Sequence, residues 1–142
     1  VFANSHAGRI VAIDIRTGER AWTIDVGGTQ RPWVVGDYVY VITDDAKVMC
    51  VRRADGRVRW ITQLDAYRNA ETRQGSISWS GPVLVSDRLI ALSSEGFAVS
   101  ISPYTGEVLG RVDIPDKAFI APVVADGIVY LLTDDGRLTA LK

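Results

Sequence analysis

Two pairs of adjacent carboxylates, Asp44-Asp45 and Asp134-Asp135, together with Glu95, are the acidic groups best placed for chemistry in this 142-residue chain. Such groups hold calcium when several oxygens converge on one ion. The chain also has one thiol, Cys50, and one imidazole, His6. A catalytic thiol needs a base beside it. Cys50 lies in the apolar run KVMCVR, where a lone cysteine packs as a small hydrophobe, and His6 lies in the turn NSHAG. Both read as structural. There is no glycine-rich phosphate loop, no histidine pair at metal spacing and no nucleophile elbow. Whether the carboxylates converge depends on the elements that carry them.

Those elements repeat. VFANSHAGRIVAID, VYVITDDAKVMCVR, LIALSSEGFAVSIS and VYLLTDDGRLTALK each run from an extended apolar stretch through a short turn into a second stretch. The small residue closing each turn is Gly8, Ala46, Gly96 or Gly136, at spacings of 38, 50 and 40 residues. A second series, RTGERAW, ADGRVRW and YTGEVLG, sets Gly18, Gly56 and Gly106 in turns, with Trp22, Trp60 and Gly110 four residues later. A third starts at Pro32, Pro82 and Pro122, at the beginnings of strands, and turns through Gly36-Asp37, Ser86-Asp87 and Asp126-Gly127. Val, Ile, Leu and Tyr fill the runs, and turn residues break them at the spacing of short strands. The paired turn residues tolerate positive φ, as tight hairpins require.

The chain is therefore all-β, and four antiparallel strands in about 40 residues is the period of a β-propeller blade. With strands lettered A to D outward from the axis, residues 1–28 supply BCD, 29–65 ABCD, 79–115 ABCD and 116–142 ABC. Residues 66–78 form a polar insertion. These fourteen strands make about three and a half blades of an incomplete, eight-bladed propeller. The first blade reads as entered partway through, and the ending at a C strand reads as a natural C-terminus whose missing D strand comes from the far terminus. Such a portion exposes blade edges through which it would self-associate. Acidic turns on separate blades are spread around the ring, so the carboxylates are expected as solvated turn residues, with no metal and no cofactor.

Sixteen basic against seventeen acidic residues leave no electrostatic footprint for nucleic acid or an anionic membrane. No apolar run reaches the roughly 18 residues of a transmembrane helix, and VFANSHAG is not a signal peptide.

The pattern Ala12-x-Asp14-x-x-Thr17-Gly18-x-x-x-Trp22 resembles the tryptophan-docking repeat of quinoprotein-type propellers. In that family the tryptophan packs on the neighbouring blade around its turn. Gly56 and Trp60 keep the plan, with Arg53 in place of the Asp and Asp55 in place of the Thr; Gly106 keeps the turn, and Gly110 replaces the tryptophan. GRIVAIDIRTGERAWTIDV followed closely by VVGDYVYVITDDAKVMCV, then SGPVLVSDRLIALSSEGFAVSISPYTGEVLGRV and APVVADGIVYLLTDDGRLTALK, resemble the C-terminal blades of the BamB-type outer-membrane β-barrel assembly lipoproteins. The resemblance implies a non-enzymatic scaffold at the periplasmic face of the outer membrane, lipid-anchored through a segment outside this chain. Its implied partners are the central barrel subunit of the barrel-assembly machine and unfolded β-barrel clients. The alternatives are another periplasmic propeller acting as a binding module, or part of a quinone-dependent dehydrogenase. The single cysteine leaves no vicinal disulfide for the dehydrogenase within this portion.

The 50-residue spacing marks the polar insertion DAYRNAETRQGSISWSG as the chief departure from the repeat. Loops of this kind hold binding function on rigid scaffolds. Tyr67 and Arg68 are the expected contact anchors, because interface hot spots favour Tyr and Arg. Trp79 joins them as a candidate contact, although its place before Pro82, matching Thr29 before Pro32 and Phe119 before Pro122, fits wedge packing near the axis better.

Overall fold

The structure, a computed structural model, describes residues 2–5, 8–27, 31–69, 71–114, 123–132, 136 and 138–141. His6, Thr29, Phe119, Pro122, Asp134 and Asp135 lie outside the described residues. Among those described, every regular element is a strand.

Blade 1 comprises β1 (Phe2–Ser5), β2 (Arg9–Ile13) and β3 (Arg20–Ile24). Blade 2 comprises β4 (Trp33–Val35), β5 (Tyr38–Ile42), β6 (Lys47–Arg52) and β7 (Val58–Gln63). The insertion folds into a separate two-stranded hairpin, β8 (Tyr67–Asn69) and β9 (Gln74–Ser76). Blade 3 comprises β10 (Trp79–Val85), β11 (Arg88–Ser93), β12 (Phe97–Ile101) and β13 (Val108–Asp113). Blade 4 comprises β14 (Val123–Ala125), β15 (Ile128–Leu132) and β16 (Leu138–Leu141). Each blade is an antiparallel meander in chain order.

The hairpins follow from residue type. Ser86 and Asp87 have φ of 47° and 64°, and Asp126 and Gly127 have 51° and 72°. That is the double left-handed conformation whose twist matches the flanking strands. β10 begins at Trp79, three residues ahead of Pro82. Its register with β11 shifts between Ser80 and Val83, so Pro82 sits at an irregularity rather than at the strand start. An irregular point tolerates a residue with no N–H to give to the ladder.

The middle strands of blade 2, β5 and β6, are buried on both faces, and their alternation sorts the core. Val39, Val41, Met49 and Val51 pack with Ile10, Trp22 and Ile24 of blade 1. Their neighbours Tyr40, Ile42, Val48 and Cys50 pack the other way, with Trp79, Leu89, Ala91, Phe97, Val99 and Ile101 of blade 3. One continuous apolar run thus serves two seams, because successive strand residues point to opposite faces. Burial of these side chains, worth about 1.5–3 kcal/mol each for the larger ones, is what holds the blades together.

The C–D pairings share one feature. Register shifts fall between Ala12 and Ile13, Cys50 and Val51, and Ser100 and Ile101. Each places an extra residue on the D strand (Ala21, Arg59 or Leu109) immediately before Trp22, Trp60 or Gly110. A bulge there sharpens the local twist and re-aims the next side chain.

Candidate functional site

Trp22 leaves β3 and meets the β6–β7 turn of blade 2. Its indole Nε1 donates to the Arg53 carbonyl at 2.7 Å. Its ring covers Gly56, where a Cβ would lie 2.8 Å from the indole carbon Cδ2. Trp60 repeats the arrangement one blade on. Its Nε1 donates to the Pro103 carbonyl at 3.0 Å, and a Cβ on Gly106 would come within 2.5 Å of the ring. Gly56 and Gly106, with φ of 74° and 79°, thus have two reasons to be glycine: the left-handed backbone and the ring lying against it. Beside Trp60, the Thr62 hydroxyl donates to the Gly106 carbonyl.

Ala12, Asp14, Thr17 and Gly18 build the blade 1 turn. Ala12 is buried opposite Trp22 in the β2–β3 register. The Gly18 N–H donates to the Asp14 carbonyl at 2.7 Å, Asp14 Oδ1 accepts from the Arg16 N–H at 2.9 Å, and Thr17 Oγ1 accepts from the Glu19 N–H at 3.2 Å. The bonds from the Arg16 backbone and side chain hold the Asp14 carboxyl below its ordinary pKa. These bonds also correct one alignment. The Gly56 N–H bonds the Arg52 carbonyl and the Gly106 N–H bonds Ser102, so Arg52, not Arg53, stands in the place of Asp14. Arg53 instead lends its carbonyl to Trp22. Counting four residues back from each glycine is the sequence signal that locates it.

The hairpin holds the other named residues. Tyr67 is half-buried and pairs with Ser76. Arg68 is not free: its Nε lies 2.9 Å from Glu95 Oε2 in the β11–β12 turn, and the Glu95 side chain is only 19% exposed. Gly75 gives the Arg68 stem room, since a Cβ there would sit 3.0 Å from Cγ and Cδ. Asn69 Oδ1 accepts from the Glu71 and Thr72 N–H groups and so shapes the hairpin turn. Trp79, a candidate contact in the sequence, is instead a buried residue at the start of β10. It is 7% exposed, donates its indole N–H to the Asp65 carbonyl at 2.9 Å and meets Phe97 edge-on at 5.5 Å. An aromatic ring with its one donor satisfied and its faces packed belongs to the core.

Between the hairpin and the Thr43–Lys47 turn of blade 2 lies a cleft of about 550 Å³. Asp44, Asp45 and Asp65 line it from blade 2 and the segment that follows, and Tyr67, Arg73 and Ile77 line it from the hairpin. Asp45 accepts a hydrogen bond from the Thr43 hydroxyl and pairs with Lys47 at 3.1 Å, and both lower its pKa. Cys50 is buried in the blade 2–3 seam, and burial pushes its thiol up to about 11, so it is a protonated core side chain at neutral pH. Among the described residues, no three His, Cys, Asp or Glu side chains are grouped to hold a metal ion.

With this geometry in view, the family model of the outer membrane protein assembly factor BamB matches residues 1–62 and 66–142. The BamB of Alkalilimnicola ehrlichii is 26% identical over 99% of this chain and 35% of its own length. That of Escherichia coli is 28% identical over 99% of this chain and 34% of its own. The chain thus spans about a third of the curated relatives it matches. Among solved structures, BamB from Moraxella catarrhalis superposes with a TM-score of 0.83 at 17% identity, over 98% of this chain and 40% of that one. Quinohemoprotein alcohol dehydrogenase from Comamonas testosteroni superposes at 0.63 with 22% identity, over 79% of this chain and 19% of that one. At these identities both structures speak to the propeller fold alone. Matched by its family model over nearly all of its residues, the chain belongs to the family of the outer membrane protein assembly factor BamB.

Proposed function

We propose that this chain is part of a non-enzymatic scaffold that assists the assembly of outer-membrane β-barrel proteins through protein–protein contacts. It works at the periplasmic face of the outer membrane, held there by a lipid anchor carried outside this chain. Its partners are the central barrel subunit of the assembly machine and unfolded barrel clients. The observation that carries this reading is the family match over both halves of the chain.

The hairpin is the proposed place of contact. Blades 1 to 3, joined through Trp22 and Trp60, make a rigid platform, and the hairpin is the element that departs from the blade repeat. Tyr67 and Arg68 are the contact residues, Arg68 being held in its pose by Glu95. Such pre-set side chains lose little freedom on binding.

The test uses the full-length protein with Tyr67→Ala and Arg68→Ala together, titrated against the purified central barrel subunit. Binding is expected to weaken roughly fivefold or more, the scale of a modest hot spot. Unchanged affinity removes the hairpin contact. Titration with pyrroloquinoline quinone and calcium probes the oxidoreductase alternative, and saturable binding there would overturn the scaffold reading.

A further inference from the structure

We propose that the cleft between the β8–β9 hairpin and the Thr43–Lys47 turn receives an extended, basic segment of a partner polypeptide. The proposal rests on the scaffold reading and gives it a recognition chemistry.

The cleft has the size of a built site. Its volume of about 550 Å³ falls inside the roughly 300–1,000 Å³ range of ligand pockets. A second hollow of about 140 Å³ adjoins it, sharing Asp44, Ser76 and Ile77, and is lined further by Thr43, Ser78 and the buried Trp79. A larger hollow with a smaller one beside it has room for an extended chain and one inserted side chain. The smaller hollow is lined by the polar residues Thr43, Asp44, Ser76 and Ser78 beside Ile42, Ala46 and Trp79, with the Thr43 hydroxyl itself engaged by Asp45, so it favours a side chain with a polar tip.

Charge selects the sign. Three carboxylates (Asp44, Asp45 and Asp65) line the cleft against two cations, Lys47 and Arg73. Lys47 is already paired with Asp45 at 3.1 Å. The exposed Asp65 carboxylate has no ion pair among the described residues, and its backbone carbonyl is the one fixed by Trp79. The blade 2 side therefore presents net negative charge over an apolar floor that includes the buried Leu64. An extended strand points alternate side chains to opposite sides. A segment alternating basic and apolar residues can thus place Lys or Arg on the Asp65 side and apolar groups on Leu64, Tyr67 and Ile77.

The cleft is also pre-formed. Arg68 and Glu95 tie the hairpin to blade 3, and the Ile77 N–H closes its base on the Ala66 carbonyl at 2.8 Å. Glu95 is thereby a positioning residue: it fixes the hairpin wall without lining the cleft.

The experiment titrates the full-length protein with two fluorescently labelled extended peptides of the same apolar alternation, one with Lys and one with Glu at the polar places. The Lys peptide is expected to saturate and the Glu peptide not to. Asp65→Lys, with an unchanged unfolding midpoint, weakens the Lys peptide by at least about fivefold, because it sets like charges face to face. Glu95→Gln gives a smaller loss, while Glu19→Lys on blade 1 gives none. Equal binding of the two peptides, or indifference to Asp65→Lys, overturns the proposal. If it fails in this way while Tyr67→Ala with Arg68→Ala still weakens the barrel subunit, the cleft is wrong and the scaffold reading stands.

Discussion

Trp60 on β7 and Gly110 on β13 occupy the same place in successive blades, each one residue after the extra residue of a bulge. Trp60 reaches across the seam to Pro103 and covers Gly106; at Gly110 a Cβ would meet nothing within 4 Å. The strands differ accordingly. Trp60 and Thr62 are half-buried on β7, whereas every residue of β13 is exposed, with Leu109 at 48% and Val112 at 51%. The bulge is present on both. It therefore comes from the turn that both blades share, and the tryptophan makes use of an aim that the backbone already provides.

That contrast can be broken from either side, most strongly at the glycine. Gly106→Ala puts a methyl into the Trp60 ring on a backbone at φ 79°, combining overpacking with left-handed strain. In the full-length protein it should cost about 3 kcal/mol, read as a lower denaturant midpoint. Gly110→Ala, with open space and an ordinary φ, should move the midpoint by less than about 0.5 kcal/mol. Equal effects would show that the two seams do not differ as described.

Removing the ring is next in size. Trp60→Ala empties a partly buried site and should cost about 2–3 kcal/mol, below the usual cost of truncating a fully buried aromatic because the ring is only half-buried. Trp60→Phe keeps most of the packing and loses only the bond to Pro103, about 1 kcal/mol. If Phe proves as costly as Ala, the hydrogen bond dominates the seam rather than the stacking.

A pH dependence separates the seams without mutation. Cys50 and Tyr40 both lie in the blade 2–3 seam, and burial raises their pKa values to about 11 and about 12, from 9.0 and 10.0. The folded state holds both protonated, so their contribution is complete below pH 9 and falls as the pH rises toward 12, where the unfolded chain ionises first. Denaturant midpoints measured from pH 8 upward should decline across that window. Cys50→Val should flatten its lower part, and an unchanged slope would remove Cys50 from the effect.

The smallest change concerns Ala46, which takes the place of Gly8, Gly96 and Gly136 at φ 62°. Ala46→Gly relieves left-handed strain but deletes a methyl buried in the blade 2–3 core. The two terms oppose each other at about 1 kcal/mol apiece, so the expected shift is near zero. A large gain would mean that the methyl packs poorly, and a large loss that the strain is slight.

Much of the fold was legible because it is local. Val, Ile and Tyr alternation, the paired turn residues and the glycines at fixed distances each act within a few residues, and repetition multiplies the signal. The turn conformations and the pairing of Trp22 and Trp60 with glycine turns follow from that repetition. The insertion was legible only as a break in spacing. That it forms a hairpin, that Arg68 is paired with Glu95 and that Trp79 is buried all depend on groups distant in sequence.

By itself, then, the sequence determined the all-β class, the blade period, the turn conformations and the places where an indole meets a glycine. Only the tertiary structure decided which carbonyls receive those indoles, which face of each blade 2 strand serves which seam, and that a cleft opens between the hairpin and the Thr43–Lys47 turn. The reason is physical. Backbone conformation is selected by neighbours along the chain, whereas burial and ion pairing are selected by whatever the fold brings alongside.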